Sequence, residues 1–139
     1  MTRVAKAIII DQDNNYLIMR RSNHPTFGND PDLPGGTAEE GETPLTTMVR
    51  EVFEETAIHI DGAQAHHLYT GAEYSNHNTE YSLYYYRVAT RPQVTMSWEH
   101  TSYAWVDRDE FLRQTGESID TYMHMTHDIV KEKLVPQTT

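Results

Sequence analysis

The chain has 139 residues, with 11 basic and 21 acidic side chains, a formal net charge of −10 and no cysteine. Disulfides, thiolate nucleophiles and cysteine-ligated zinc are therefore excluded, and binding to duplex nucleic acid is disfavoured because it needs a basic surface. With no signal-peptide pattern and no run approaching the roughly 18 apolar residues of a membrane span, we expect one cytoplasmic domain, residues 1–139, without membrane attachment.

The first predicted elements form a β-hairpin. Residues 4–10 are apolar and β-branched, which is typical of a strand, and residues 11–15 have turn chemistry. Residues 16–21 then read as the second strand. The polar segment 22–32 is predicted to be a loop, and residues 33–36, Leu-Pro-Gly-Gly, a sharp bend.

A helix is predicted from residue 43 to about residue 56. Thr43 can cap its N-terminus, and Pro44 is a residue type favoured at the first helical position. Apolar residues fall on one face at helical spacing, namely Leu45, Met48, Val49 and Val52.

The second half of the chain mixes strands and helices. Strand patterns cover residues 63–74 weakly, and residues 79–90 and 102–106 more clearly. Asp107 caps a predicted short helix that runs through Phe111, and a final helix is predicted over 118–133. Because strands and helices do not alternate regularly, the class is α+β, or a helix–sheet–helix sandwich.

Acidic side chains are concentrated on one edge of the predicted first helix. Glu51, Glu54 and Glu55 stand at i, i+3 and i+4, so their carboxylates share an edge and repel one another. A hard cation such as Mg²⁺, which prefers oxygen ligands, would relieve this repulsion. Arg50 can orient one of these carboxylates, and the bend at residues 35–36 permits close backbone approach.

The spacing of these residues resembles the signature of the Nudix hydrolase family. That signature is Gly, five residues, Glu, seven residues, Arg-Glu, an aliphatic, any residue, Glu-Glu, any residue, Gly and an aliphatic. The matching positions are Gly36, Glu42, Arg50, Glu51, Val52, Glu54, Glu55 and Ile58. Six fixed residues would match by chance with a probability of about 10⁻⁵ over this chain.

The resemblance to single-domain, MutT-like members implies an α/β/α sandwich with a mixed β-sheet. It also implies Mg²⁺, or Mn²⁺ as a substitute, held by Glu51, Glu54, Glu55 and the Gly36 carbonyl. Many relatives place another glutamate before a late strand, as metal ligand or general base, and Glu99 is the matching residue.

Further roles follow from the same resemblance. Glu42, Arg50 and Gly35 would support the loop–helix geometry of residues 36–58. The implied reaction is water attack on phosphorus in a nucleoside triphosphate, or in a nucleoside diphosphate linked to another group. Either Glu51 or Glu99 would act as the general base.

Substrate contacts are less constrained. Arg20 and Arg21 end the second predicted strand near the glycine bend, and one of them could reach a substrate phosphate. Tyr74 lies at the spacing of a tyrosine in dinucleoside polyphosphate hydrolases, which is an alternative function. Residue 73 is Glu where many ADP-ribose hydrolases have proline. A non-catalytic nucleotide-binding domain is a further alternative, and a homodimer is left open.

One position departs from the signature. Ala57 stands where the family has glycine. If this residue ends the helix in a left-handed conformation, alanine costs about 1 kcal/mol relative to glycine. We therefore expect a weaker helix end and an intact metal site.

Overall fold

The computed structural model describes residues 1–135, so the last four residues of the predicted domain lie outside the described residues. The described strands are β1 (Thr2–Ile10), β2 (Tyr16–Arg21), β3 (Pro31–Asp32), β4 (Gly35–Thr37), β5 (His66–Gly71), β6 (Thr79–Arg87) and β7 (His100–Val106). The helices are α1 (Pro44–Thr56), α2 (Arg108–Glu117) and α3 (Thr121–Lys133), with a 3₁₀ turn at Gly62–Gln64. In residues 1–135, no helix has both the length and the apolar character needed to cross a membrane.

All seven strands join one mixed sheet. The main order is β3-β2-β1-β6-β5, with β4 also paired to β1 and β7 to β2. Strands β1 and β6 run parallel, and the other pairs run antiparallel. The mixed sheet agrees with the predicted architecture.

Helices cover the sheet on both faces. Successive residues of β1 point to opposite sides, and both sets include apolar side chains that must be buried. Ala7 and Ile9 belong to a core cluster with Met48 and Val52 of α1. On the other face, Ile8 and Ile10 belong to a second cluster, whose helical members include Phe111, Met123 and Met125. The α+β class and the α/β/α sandwich are confirmed.

Two short strands were not predicted. Part of the predicted loop forms β3, which pairs with β2 at Met19–Asp32, and the predicted bend continues into β4, which pairs with β1 at Lys6–Gly35. Elements of two or three residues are too short to show alternation, so their polar sequences resemble loops.

The C-terminal helices also differ in extent from the prediction. Helix α2 continues to Glu117 and so is longer than the predicted segment. Helix α3 begins at Thr121, because the side chain of Asp120 accepts a hydrogen bond from Tyr122 N at 2.9 Å and caps it there.

The ends of α1 are as the sequence indicated. Thr43 caps the helix by accepting a hydrogen bond from Thr46 N at 3.2 Å, and Pro44 follows. At the other end, Ala57 adopts the left-handed conformation, with φ 64° and ψ 14°. Its N–H donates to the Phe53 carbonyl at 2.8 Å. This conformation is one that glycine adopts at lower cost.

Candidate active site

An open cleft of about 480 Å³ lies where β1, β4, α1 and the start of α3 meet. Its lining includes six residues singled out from the sequence: Arg21, Gly35, Gly36, Glu51, Glu55 and Glu99. It also includes residues that the sequence did not single out, among them Lys6, Phe27, Asp32, Asp120 and Tyr122. Three of the residues predicted for the site between 36 and 58, namely Gly36, Glu51 and Glu55, therefore line one cavity.

Glycines are required at the edge of this cleft by close contacts. A Cβ atom on Gly36 would lie 2.6 Å from the Glu51 carboxyl carbon, and one on Gly35 would lie 2.4 Å from both the Ala5 carbonyl oxygen and the Lys6 Cα. Gly35 also has φ 143°, which side-chain-bearing residues rarely adopt. These glycines allow the Glu51 carboxyl group to lie directly against the backbone of residue 36.

Arg50 connects the loop to the helix. Its guanidinium donates to Glu42 from Nε at 2.7 Å and from Nη2 at 2.8 Å. Nη1 donates to Glu51 at 2.9 Å and to Glu54 at 3.2 Å. This bidentate contact lowers the pKa of Glu42 to about 2, and the attached carboxylates raise the pKa of Arg50. Arg50 is thus positioned to orient the glutamates around it.

Two glutamates of the cleft hold protons more tightly than usual. Burial raises the pKa of Glu55 to about 9, with Asp32 and Glu99 adding to the rise, although Lys6 opposes it. Burial also raises the pKa of Glu51 despite its contact with Arg50, and nearby Glu54 and Glu99 contribute. Both shifts report carboxyl groups that are crowded together and partly removed from water.

These groups fit a hard divalent cation by their chemistry. In residues 1–135, no three His, Asp or Glu side chains already converge in a metal-binding arrangement. However, Glu51, Glu55 and Glu99 line the same cleft as Gly36, and a divalent ion among them would replace the protons that crowding favours. Glu54 is not among the lining residues, and its half-exposed carboxylate contacts Arg50.

A buried charge network forms the cleft wall beside Glu55. Asp32 accepts hydrogen bonds from Lys6 Nζ at 2.6 Å and from Arg21 Nη2 at 3.1 Å. Its other oxygen lies 2.9 Å from His100 Nε2, and Arg21 also donates to Asp120 at 2.8 Å. Burial favours the neutral acid, but Lys6, His100 and Arg21 outweigh it and hold the pKa of Asp32 well below its usual range.

Of this network, only Arg21 was predicted from the sequence, because the other members come from separate elements. Lys6 carried a signal, since it interrupts an otherwise apolar strand and is buried. Lysine is rarely buried without a partner, so its position pointed to a nearby carboxylate. The identity of that carboxylate depended on pairings that are not visible in the chain order.

The two arginines at the end of β2 have different surroundings. Arg21 lines the cleft, whereas Arg20 donates to Gln114 of α2 at 2.8 Å and lines a separate surface depression. A β-bulge between them interrupts the regular pairing of β2 with β7.

Tyr74 also lies outside the cleft lining. Its hydroxyl donates to Asp128 of α3 at 2.8 Å, in a surface depression with His124 and His127. This contact raises the pKa of Tyr74. The structure therefore does not bring Tyr74 together with Glu51 and Glu55 of the cleft.

The fold and the cleft define an α/β/α sandwich with a glutamate-rich loop–helix site. The family model of the NUDIX domain matches residues 1–125, and the chain belongs to the Nudix family.

Relatives support the assignment over shorter stretches. The chain is 39% identical over 56 residues to an 8-oxo-dGTP diphosphatase of Escherichia coli (strain K12), which covers 40% of this chain and 43% of the relative. It is 39% identical over 54 residues to a MutT-like protein of Streptomyces ambofaciens, covering 39% and 32%. It is 46% identical over 50 residues to an ADP-ribose pyrophosphatase of Methanocaldococcus jannaschii, covering 36% and 29%. The chain thus spans less than half the length of these curated relatives.

Solved structures show the same fold over nearly the whole chain. A MutT protein from Methanosarcina mazei Go1 has a TM-score of 0.69 and 22% identity, covering 94% of this chain and 93% of that one. The Ap4A hydrolase of C. elegans has a TM-score of 0.72 and 16% identity, covering 95% and 94%. At these identities the similarity concerns the fold alone.

Proposed function

We propose that this protein is a Mg²⁺-dependent pyrophosphohydrolase built as a single Nudix domain. Its substrate would be a nucleoside triphosphate, or a nucleoside diphosphate linked to a further group. The observation that carries the proposal is that Glu51, Glu55 and Glu99 line one cleft together with Gly36, against which the Glu51 carboxyl group lies. Such a set of oxygen donors suits a cation that is shared with substrate phosphates.

The proposed roles follow from the positions of the cleft side chains and, for Glu54, from its place in the Nudix signature. Glu51, Glu54, Glu55 and Glu99, with the Gly36 carbonyl, would supply metal ligands, and Arg50 would orient Glu51 and Glu54. When bound, Mg²⁺ or Mn²⁺ supplies charge neutralisation at phosphate oxygens and lowers the pKa of a coordinated water.

Either Glu51 or Glu99 would take the proton from the attacking water. The pKa of Glu51 is raised mainly by burial, which makes it a stronger base than an ordinary carboxylate. Glu99 is exposed at the rim of the cleft, where it can contact a water molecule.

The names of the relatives support the proposed substrate class, and the residues that line the cleft indicate which side chains can contact the substrate. The names 8-oxo-dGTP diphosphatase, ADP-ribose pyrophosphatase and Ap4A hydrolase all describe compounds with a phosphoanhydride attached to a nucleoside. Arg21 remains the candidate for a phosphate contact, because Arg20 lies outside the cleft. The position of Tyr74 lends no support to a preference for dinucleoside polyphosphates.

The test is hydrolysis of a nucleotide panel with and without Mg²⁺, followed by phosphate and pyrophosphate release. We expect Mg²⁺-dependent cleavage that is strongly reduced in Glu54→Gln and Glu55→Gln. The matched control is Glu110→Gln on α2, where the carboxylate contacts Arg113 away from the cleft. Unchanged hydrolysis in both Glu54→Gln and Glu55→Gln would refute the assignment of these residues as metal ligands. No cleavage of any nucleotide by the wild type would favour a non-catalytic binding domain.

A further inference from the structure

The imidazole of His100 lies between two carboxyl groups that line the cleft, Asp32 and Glu55, and His100 itself borders a neighbouring depression. Its side chain is only 2% exposed. Nε2 is 2.9 Å from Asp32 Oδ2, and Nδ1 is 4.0 Å from Glu55 Oε1. The Nudix signature spans residues 36–58 and does not include this residue, which follows Glu99 in the chain and begins β7.

His100 Nδ1 is a buried polar atom without a hydrogen-bond partner among the described residues. Buried polar atoms are nearly always satisfied, so an orphan in a cleft wall requires an explanation. The Glu55 carboxyl group faces this nitrogen, and the gap is about 1 Å longer than a hydrogen bond. The same Glu55 oxygen accepts a long hydrogen bond from Gly35 N at 3.4 Å, so a shift of about 1 Å would add Nδ1 as a second partner.

The orientation of the ring is determined by Asp32. That carboxylate already accepts from Lys6 and Arg21, and it can only accept, so Nε2 must carry the proton shared with it. Nδ1 is thereby directed to the side where Glu55 lies. Histidines and carboxylates arranged in series in this way hold functional ligands in place in other metal sites.

We propose that His100 is a positioning residue that holds the carboxyl group of Glu55 through Nδ1, with Asp32 anchoring the imidazole. The contact forms whichever of the two groups carries the proton, because a neutral ring accepts from a carboxylic acid and a charged ring donates to a carboxylate. Its effect on metal binding and catalysis rests on the proposed function, whereas the contact itself does not.

Two substitutions separate the two sides of the ring. The amide of His100→Gln can reach the place of Nε2 and keep Asp32, while that of His100→Asn can reach the place of Nδ1 and keep Glu55. We expect His100→Gln to weaken Mn²⁺ binding and lower kcat by about 10- to 100-fold, with KM for the nucleotide nearly unchanged. His100→Asn should retain more of the Mn²⁺ affinity and more of the kcat than His100→Gln does. His127→Gln is the control, since His127 pairs with Asp128 outside the cleft.

A double substitution tests whether His100 affects Mn²⁺ binding through Glu55. In a Glu55→Gln background, His100→Gln should cause no further loss of Mn²⁺ affinity. Additive losses, or wild-type affinity and kcat in a folded His100→Gln protein, would overturn the proposal. So would losses in the two His100 variants that merely follow their melting temperatures.

The contact can also be observed without metal or activity. In ¹⁵N-histidine-labelled protein, we expect Glu55→Gln to shift the Nδ1 resonance of His100 and to leave that of His127 unchanged. No shift would overturn the proposal even if the wild type is an active hydrolase. A clear shift in a protein that cleaves no nucleotide would support the contact and reject the proposed function.

Discussion

Arg50 and Glu42 are joined by two parallel hydrogen bonds, Nε to Oε2 at 2.7 Å and Nη2 to Oε1 at 2.8 Å. The pair ties the loop before α1 to the second turn of the helix. Glu42 also accepts from the backbone N–H of Glu39 at 2.8 Å and from the Thr47 hydroxyl at 3.0 Å. The loop conformation therefore depends on one planar cation that contacts a carboxylate with two nitrogens.

Replacement of this arginine by lysine should impair activity even though the charge is kept. A single ammonium group cannot make both bonds to Glu42 and still reach Glu51 and Glu54. For Arg50→Lys, we expect kcat/KM to fall by at least about tenfold, in the range found for groups that orient metal ligands. Arg113→Lys is the control, because Arg113 pairs with Glu110 and Glu117 on the surface of α2. Equal kinetics in the two variants would contradict the role of Arg50.

Gly36→Ala should displace the Glu51 carboxyl group. The new Cβ would lie 2.6 Å from that group, so the side chain must move. We expect kcat to drop by about 100-fold, since a displacement of about 1 Å in a catalytic group has this effect. In Gly62→Ala the nearest atom is a Leu45 methyl at 3.6 Å, so this control should keep its activity. Wild-type kcat in Gly36→Ala would show that the close approach is unimportant.

Ala57→Gly should stabilise the protein. Ala57 has φ 64°, a conformation that costs alanine about 1 kcal/mol relative to glycine, and the greater freedom of glycine in the unfolded chain offsets part of this. We expect the melting temperature to rise by up to about 3 °C. Metal affinity should stay unchanged, because the residue lies at the exposed end of α1. A lower melting temperature would show that αL strain is not the dominant effect.

Stability of the metal-free protein should depend on pH through Glu55. Its pKa in the folded protein, about 9, lies above its ordinary value of 4.5, so folding favours the protonated form. The stabilisation is complete below about pH 4.5 and is lost as the pH rises to about 9. The slope from this group is at most about 1.4 kcal/mol per pH unit.

The measurement compares urea unfolding of wild type and Glu55→Gln in EDTA between pH 6 and 8.5. The glutamine does not titrate, so the wild type should lose free energy of unfolding relative to the variant as the pH rises. Added Mg²⁺ should reverse the loss in the wild type only, since it binds the ionised carboxylate. A difference between the two proteins that is independent of pH would exclude this titration.

Local patterns were sufficient for the elements that carry the Nudix signature. The apolar, β-branched run of residues 4–10, the cap at Thr43 and the spacing of Glu51, Glu54 and Glu55 each depend on neighbours within a few residues, and the structure has the corresponding strand and helix. The left-handed conformation at Ala57 was also anticipated from its place after the helix.

Long-range relationships were not accessible in the same way. Lys6, Asp32 and His100 come from three segments that only the pairing of β1, β2, β3 and β7 brings together, and Asp120 joins them from the N-cap of α3. Likewise, alternation along β2 places Arg20 and Arg21 on opposite faces, but which face borders the cleft depends on the packing of elements distant in the chain.

The charges of the cleft also bear on how the proposed nucleotide substrate would enter it. Five acidic and two basic side chains line the cavity, so its electrostatic potential becomes negative as the carboxyl groups ionise, and a negative potential attracts cations and repels phosphate. A polyphosphate alone would be repelled by this surface, whereas a polyphosphate that carries its divalent cation arrives with much of its charge neutralised. For the proposed hydrolase, this wall of carboxyl groups would favour the metal–nucleotide complex over the free nucleotide as the species that binds.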